Sequence, residues 1–227
     1  MDDSNRQVLG LIGPTLQSRR KVPKGEQLTA KREHPQRESR LGLRGVQAVG
    51  EVCEGRRWVN LWDRGGDTFE SLERQQTLKP LSCGRSKSNR TVEVVDGKGR
   101  TVLAPRPRRG EHGNEPLGMW AVQVPEFEPP RGQEPLEWIL LTNVKTQTFA
   151  EACERIDGYG CRPMIEEYHK TQKTGCGIEE PPFTTRKAME VMIALWSVVA
   201  TRLLRLRDLW RQADAEIRPA TEVVDQE

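Results

Sequence analysis

Residues 159–175, YGCRPMIEEYHKTQKTG, decide how the rest of this chain is read. Offsets of three, four and seven put Tyr159, Arg162, Glu166, Lys170 and Lys173 on one stripe of a helix. A single carboxylate stands there among three cations and a phenol, groups that bind phosphate. That combination suits a metal ligand working beside a nucleic-acid backbone. Pro163 complicates the helix. Inside a continuous helix it removes a hydrogen bond and costs ~3 kcal/mol. As the first residue of a new helix it is tolerated, with Glu166 in the opening turn. The residues alone leave both readings open.

Working upstream, Arg57 to Trp62 alternates polar and apolar residues as a strand, with Asp63 at its carboxy end. Thr68 to Arg74 begins a helix, for which Asp67 is the expected N-cap. A carboxylate at a strand end is held by fixed backbone while it faces an open cleft. Val92 to Val95 and Arg100 to Leu103 flank Asp96-Gly97-Lys98-Gly99, a hairpin pattern. Met119 to Val124 and Trp138 to Leu141 read as two further strands around the Pro-rich stretch 125–135. At the start of the chain, Val8 to Leu16 reads as a short strand. Arg37 to Glu54 has a helical spacing weakened by Gly42, Gly45 and Gly50.

Downstream, Phe149, Ala150, Cys153 and Ile156 share a helical face. Between Thr185 and Ala213, Ala188, Val191, Met192, Leu195, Val198, Val199, Leu203, Leu206, Leu209 and Trp210 recur at three- and four-residue steps. A core-packing helix is the expectation for that stripe. Residues 214–227 are acidic and are expected to be disordered.

Composition narrows the classes. The chain has 227 residues, 35% hydrophobic and 30% charged, with a net charge of +3. That allows one domain with an insertion, or two small ones. Five cysteines without CxxC spacing argue against a disulfide framework and a zinc site. His34, His112 and His169 sit in no nucleophile arrangement, and there is no GxxxxGK[ST] phosphate loop. The apolar run 192–201 is far short of the ~20 residues that span a bilayer. No secretory leader is seen, so bacterial cytoplasm, at the nucleoid, is the expected location, with no membrane partner. Charge is uneven: residues 85–109 hold eight Lys or Arg against two acids, and residues 111–138 hold six Glu against one Arg. The stretch 18–40 is also basic and reads as a flexible loop.

The segment Tyr159 to Gly175 resembles the Tyr-Arg-Glu-Lys signature of bacterial DDE-class cut-and-paste transposases. The subgroup is the insertion-sequence-four family, which includes the Tn-five-type enzymes. Two more blocks agree in order: Trp58 to Leu72, WVNLWDRGGDTFESL, and Trp120 to Thr142, WAVQVPEFEPPRGQEPLEWILLT. The family usually has Trp where this chain has Pro163, and commonly Trp where it has Gly42. The resemblance implies an α/β fold: a partial RNase H-like catalytic core, a small β-strand insertion and a carboxy-terminal helical dimerisation region. The implied boundaries are residues 1–80, the core with the second catalytic Asp, and 81–142, the insertion. Residues 143–182 would be the signature helix, 183–213 the pairing helices and 214–227 a tail.

The resemblance also implies chemistry. Two Asp and one Glu of such enzymes hold two Mg2+ ions for phosphodiester hydrolysis and strand transfer. Asp63 and Glu166 match the second Asp and the Glu, and would be both catalytic residues and metal ligands. Tyr159, Arg162, Lys170 and Lys173 would bind DNA phosphates. Arg85, Lys87 and Arg90 match a run that contacts transposon-end DNA. No residue matches the first Asp: the Val8–Gly13 run resembles the strand that follows the one bearing it, and Asp2 and Asp3 lie directly before that run, at an expected turn at the frayed end of the chain. The expectation is therefore an amino-terminally truncated transposase, catalytically inactive alone, forming homodimers or heterodimers with an intact transposase. The alternative is a non-catalytic interaction protein that pairs with such an enzyme and inhibits it. A third is a generic basic DNA-binding protein.

Overall fold

Period-two alternation carries the central sheet, because successive side chains of a strand face opposite ways. In the computed structural model, residues 8–13, 17, 20–87, 92–94, 100–103, 117–179, 185–211, 219 and 221 are described. They fall into two compact units, residues 17–160 and residues 1–16 with 161–227. The whole is mixed α/β. Among the described residues no helix is long and apolar enough to cross a membrane.

The 17–160 unit holds six strands: β1 (Val59–Trp62), β2 (Leu81–Arg85), β3 (Val92–Val94), β4 (Arg100–Leu103), β5 (Leu117–Pro125) and β6 (Glu137–Thr142). Their order in the sheet is β1-β2-β6-β5-β4-β3. β1 and β2 are parallel, with Val59 opposite Leu81 and Trp62 opposite Gly84; every other pairing is antiparallel. Parallel neighbours need a crossover, and α3 (Phe69–Leu78) provides it. The helices α1 (Leu28–Glu33) and α2 (Leu41–Val49) precede β1, and α4 (Phe149–Tyr159) follows β6.

Both faces of the sheet are covered. Leu141, Met119 and Leu117 pack with Trp62 and with Leu72 of α3. On the opposite face Leu140, Val122 and Cys83 pack with Tyr159, Ile156 and Ala152 of α4. Burying side chains of this size contributes roughly 1.5–3 kcal/mol each. Polar side chains close the seam between β2 and β6. Thr142 Oγ1 donates to the Ser82 carbonyl at 2.6 Å, while Asn143 accepts from Ser82 N at 2.7 Å and donates to the Pro80 carbonyl at 2.9 Å. One contact admits no variation: a Cβ on Gly84 would lie 2.1 Å from the Trp62 ring, and one on Gly66 2.7 Å from Trp62 Cβ.

In the other unit, α5 (Met164–Lys170) runs into a π turn, Thr171–Gly175, and α6 spans Arg186–Trp210. Met164 and Tyr168 pack on Ala200 and Leu204 of α6, joined by Val8.

Several expectations need correction. Residues 8–13 form no strand: Gly13 takes φ 55°, and only Val8 turns inward. Residues 14–16 lie outside the described residues. The basic stretch 18–40 is not featureless; it contains α1, and Arg20 pairs with Glu26 at 2.5 Å. The α6 stripe faces outward in large part, for Leu195, Val198, Leu203 and Leu206 are exposed, whereas the buried side is Ser197, Ala200 and Leu204. The expected boundaries are not among these corrections: the strands after residue 80 share one sheet with β1, and the compact units divide at residues 16 and 160. β3 and β4 do pair as the hairpin pattern implies, although Val95 and the connecting residues 96–99 are outside the described residues. So is the tail 214–227, apart from residues 219 and 221.

The Trp62–Gly84 contact sets a test by urea unfolding. Gly84→Ala should destabilise the chain by about 1–3 kcal/mol, the range for overpacking. In the Trp62→Ala background the same change should cost almost nothing; equal costs in the two backgrounds would mean that the contact is not what excludes a side chain at position 84.

Candidate functional site

Asp63 follows the last residue of β1 and is exposed. Its Oδ1 accepts from Gly65 N at 2.8 Å, which caps the short 3-10 turn Arg64–Gly66 and fixes the carboxylate's direction. Thr68 rather than Asp67 is the N-cap of α3, its hydroxyl accepting from Ser71 N at 3.3 Å. Asp67 is buried instead. Its Oδ2 accepts from Lys87 N at 2.8 Å and from Ser86 Oγ at 3.3 Å. Local sequence could not separate these roles, since Asp and Thr both cap helices; donors at the end of β2 decide it.

Arg85 closes β2. Its guanidinium sits 5.5 Å above the Trp138 ring and donates to the Glu137 carbonyl at 3.4 Å. On Trp138, in turn, Tyr159 packs edge to face, with ring centroids 5.6 Å apart. The structure thus links two of the expected phosphate-binding residues, Arg85 and Tyr159, through a Trp that sequence reading passed over. Tyr159 is buried as the last residue of α4. Lys87 is exposed two residues beyond Arg85. Arg90 lies outside the described residues.

The signature does not form one continuous helix, so its stripe is split. α4 ends at Tyr159, and α5 starts at Met164 with Pro163 as its N-cap, φ −59° and ψ −14°. There the missing N–H is no loss, while the Pro163 carbonyl still accepts from Glu166 N at 2.9 Å. Glu166 stands in the first turn of α5, well exposed, and pairs with Arg162. Lys170 is exposed at the helix end, and Lys173, in the π turn, pairs with Glu179 at 3.0 Å. The opposite face of α5 is anchored. Tyr168 Oη lies 2.7 Å from Ser197 Oγ, and Gln172 Nε2 donates to Tyr168 Oη at 2.9 Å and to Ser197 Oγ at 3.1 Å. Arg207 reaches Glu167 at 3.1 Å.

Chemically, Asp63 and Glu166 offer hard carboxylate oxygens of the kind Mg2+ takes. Among the described residues no three His, Cys, Asp or Glu side chains converge. Pairs as exposed as Arg162–Glu166 and Lys173–Glu179 are worth ~0–1 kcal/mol, so either partner can exchange its counter-ion at small cost. Cys83 is no nucleophile, because burial pushes its thiol up to about 12. Compared with models of known protein families, the chain matches none.

The helix that carries Tyr159 begins with a capping box of Thr148 and Glu151. The backbone N–H groups of Gln147, then of Thr148, hold the Glu151 carboxyl below its ordinary 4.5. A lowered value means stability that is present above the unfolded range and lost as pH falls through the folded value. The stability gap between wild type and Glu151→Gln should therefore be constant from neutral pH down to about 5 and close on further acidification. A gap that widens with acid would contradict this capping role.

Proposed function

We propose that the chain is part of a DDE-class cut-and-paste transposase, one that binds DNA but does not cut it by itself. The observation that carries this reading is the course of the chain from β1 to β2. An exposed Asp ends β1, α3 crosses over, and the parallel strand runs straight into Arg85-Ser86-Lys87. That is the order which the resemblance to the insertion-sequence-four family requires. We read the sheet, with helices on both faces, as the RNase H-like core of that family.

By the resemblance, Asp63 in one unit and Glu166 in the other would each be a ligand for Mg2+, which would supply activation of the attacking oxygen and stabilisation of the leaving oxygen of a phosphodiester. The chain's own groups bind and orient the substrate. Arg85, Lys87, Arg162, Lys170 and Lys173 neutralise phosphates, which gives affinity and salt dependence with little choice of sequence. Tyr159 supports Arg85 through Trp138. No residue here matches the first Asp, so the metal centre stays one carboxylate short. Such a protein works at the nucleoid in the bacterial cytoplasm.

The test is a duplex-binding titration with a cleavage assay beside it. Arg85→Ala/Lys87→Ala should weaken binding at low salt and make the plot of log K against log salt shallower by about 1.8, or 0.9 for each lost contact. Purified protein with Mg2+ should leave transposon-end DNA intact. Nicking that Glu166→Ala abolishes would overturn the inactive reading, and binding with no salt dependence would overturn the phosphate surface.

A second reading is favoured by α6, whose exposed side carries Val191, Leu195, Val198, Leu203, Leu206 and Trp210. An apolar face of this length suits pairing with a second copy or with an intact transposase, which the pairing would inhibit. Leu195→Glu/Leu203→Glu should convert a dimer to a monomer in sedimentation, with helix content unchanged. If wild type is already monomeric and fails to co-purify with a full-length enzyme of the family, the pairing role is lost.

A further inference from the structure

Asp67 has an unusual position for an acid. It is 7% exposed, yet it sits only four residues beyond the exposed Asp63. A buried carboxylate carries a large desolvation cost unless donors meet it. Here the donors come from the first two residues past β2: the Lys87 backbone N–H at 2.8 Å and the Ser86 hydroxyl at 3.3 Å. The role that its place in the sequence suggests, the cap of α3, is filled by Thr68. Two of the hydrogen bonds it accepts come from the segment 85–87.

That segment is held from two sides. Ser86 N donates to the Ile139 carbonyl of β6 at 2.8 Å, which extends the ladder one residue past β2. Asp67 then takes the next N–H, that of Lys87. Cys83 and Arg85 share the face on which Trp138 and Tyr159 lie, and continuation of the extended chain by one bond would turn Lys87 to that same face. Two cations on one side of a segment held in this way would meet a ligand together. On a loose loop they would lose ordering entropy at every contact.

We infer that Asp67 is a positioning residue that fixes the Arg85-Ser86-Lys87 segment to the Asp63 turn, so that both cations meet a phosphate backbone together. The phosphate part of this assignment rests on the DNA reading above; the tether itself does not. Asp67 touches no substrate in this scheme and acts only through the segment.

The experiment uses the full chain with Asp67→Ala, Asp67→Asn and Ser86→Ala. Two readouts are taken: deuterium uptake at residues 86–88, and binding of a fluorescein-labelled 30-base-pair duplex between 50 and 200 mM KCl. Asp67→Ala should exchange faster at Lys87 N and flatten the salt plot by up to about 1.8. Asp67→Asn keeps an acceptor oxygen and should restore most of both. Ser86→Ala, the mildest change, should shift both slightly in the same direction, and it carries the comparison should Asp67→Ala not fold. Unchanged exchange in the variants overturns the tether. Faster exchange with an unchanged salt plot overturns the positioning role. If wild type binds no duplex while the variants still exchange faster, the DNA reading fails and the tether stands.

Discussion

The 17–160 unit depends on one close contact, the Trp62 indole lying against Gly84 of the neighbouring strand and Gly66 of the following turn. The ring buries on the order of 200 Å2, worth ~5 kcal/mol at 25 cal/mol per Å2. Its N–H has no hydrogen-bond partner among the described residues, a loss of ~1–3 kcal/mol. Packing wins. Because the ring fills the space where side chains at 66 and 84 would go, it sets how β1 meets β2 and where the chain turns after Trp62. Asp63, Asp67 and the end of β2 all take their places from that turn.

The charged groups of the candidate site follow a common plan. Arg162 pairs with Glu166, Lys173 with Glu179, and Arg85 leans on Trp138 and the Glu137 carbonyl. None is locked deep in the protein. Exposed pairs of this type hold side chains in order at little net energy. On the proposed reading, a polyanion would displace the acidic partners by mass action and meet cations that are already arranged. The anchors lie behind them, in Tyr168, Gln172 and Ser197 behind α5, and in Asp67, which accepts from Ser86 and from the Lys87 backbone.

Sequence reading succeeded where the signal was local. Strand alternation located β1, β5 and β6, and the Asp-Gly-Lys-Gly motif marked the pairing of β3 with β4. The place of Asp63 just past a strand was equally plain. It failed where a distant partner decides. Val8 to Gly13 is apolar enough for a strand, but a strand needs a neighbour, and Val8 packs on Tyr168 and Leu204 instead. Thr68 and Asp67 were interchangeable as caps until the N–H of Lys87 claimed one of them. Amphipathic spacing found α6 but could not say whether its apolar side is covered. Proline at 163 signalled a boundary, and only its backbone angles show a new helix opening directly after it.

The π turn at Thr171–Gly175 bears on how α5 is anchored. Cys176 N reaches back to the Thr171 carbonyl, one residue further than an α-helix allows, so the turn holds an extra residue where the helical ladder ends. Two threonines cover carbonyls there, Thr171 that of Glu167 and Thr174 that of Lys170. The extra residue widens the helix where Gln172 reaches Tyr168 and Ser197, so the π turn sets the spacing between the end of α5 and the helix that anchors it.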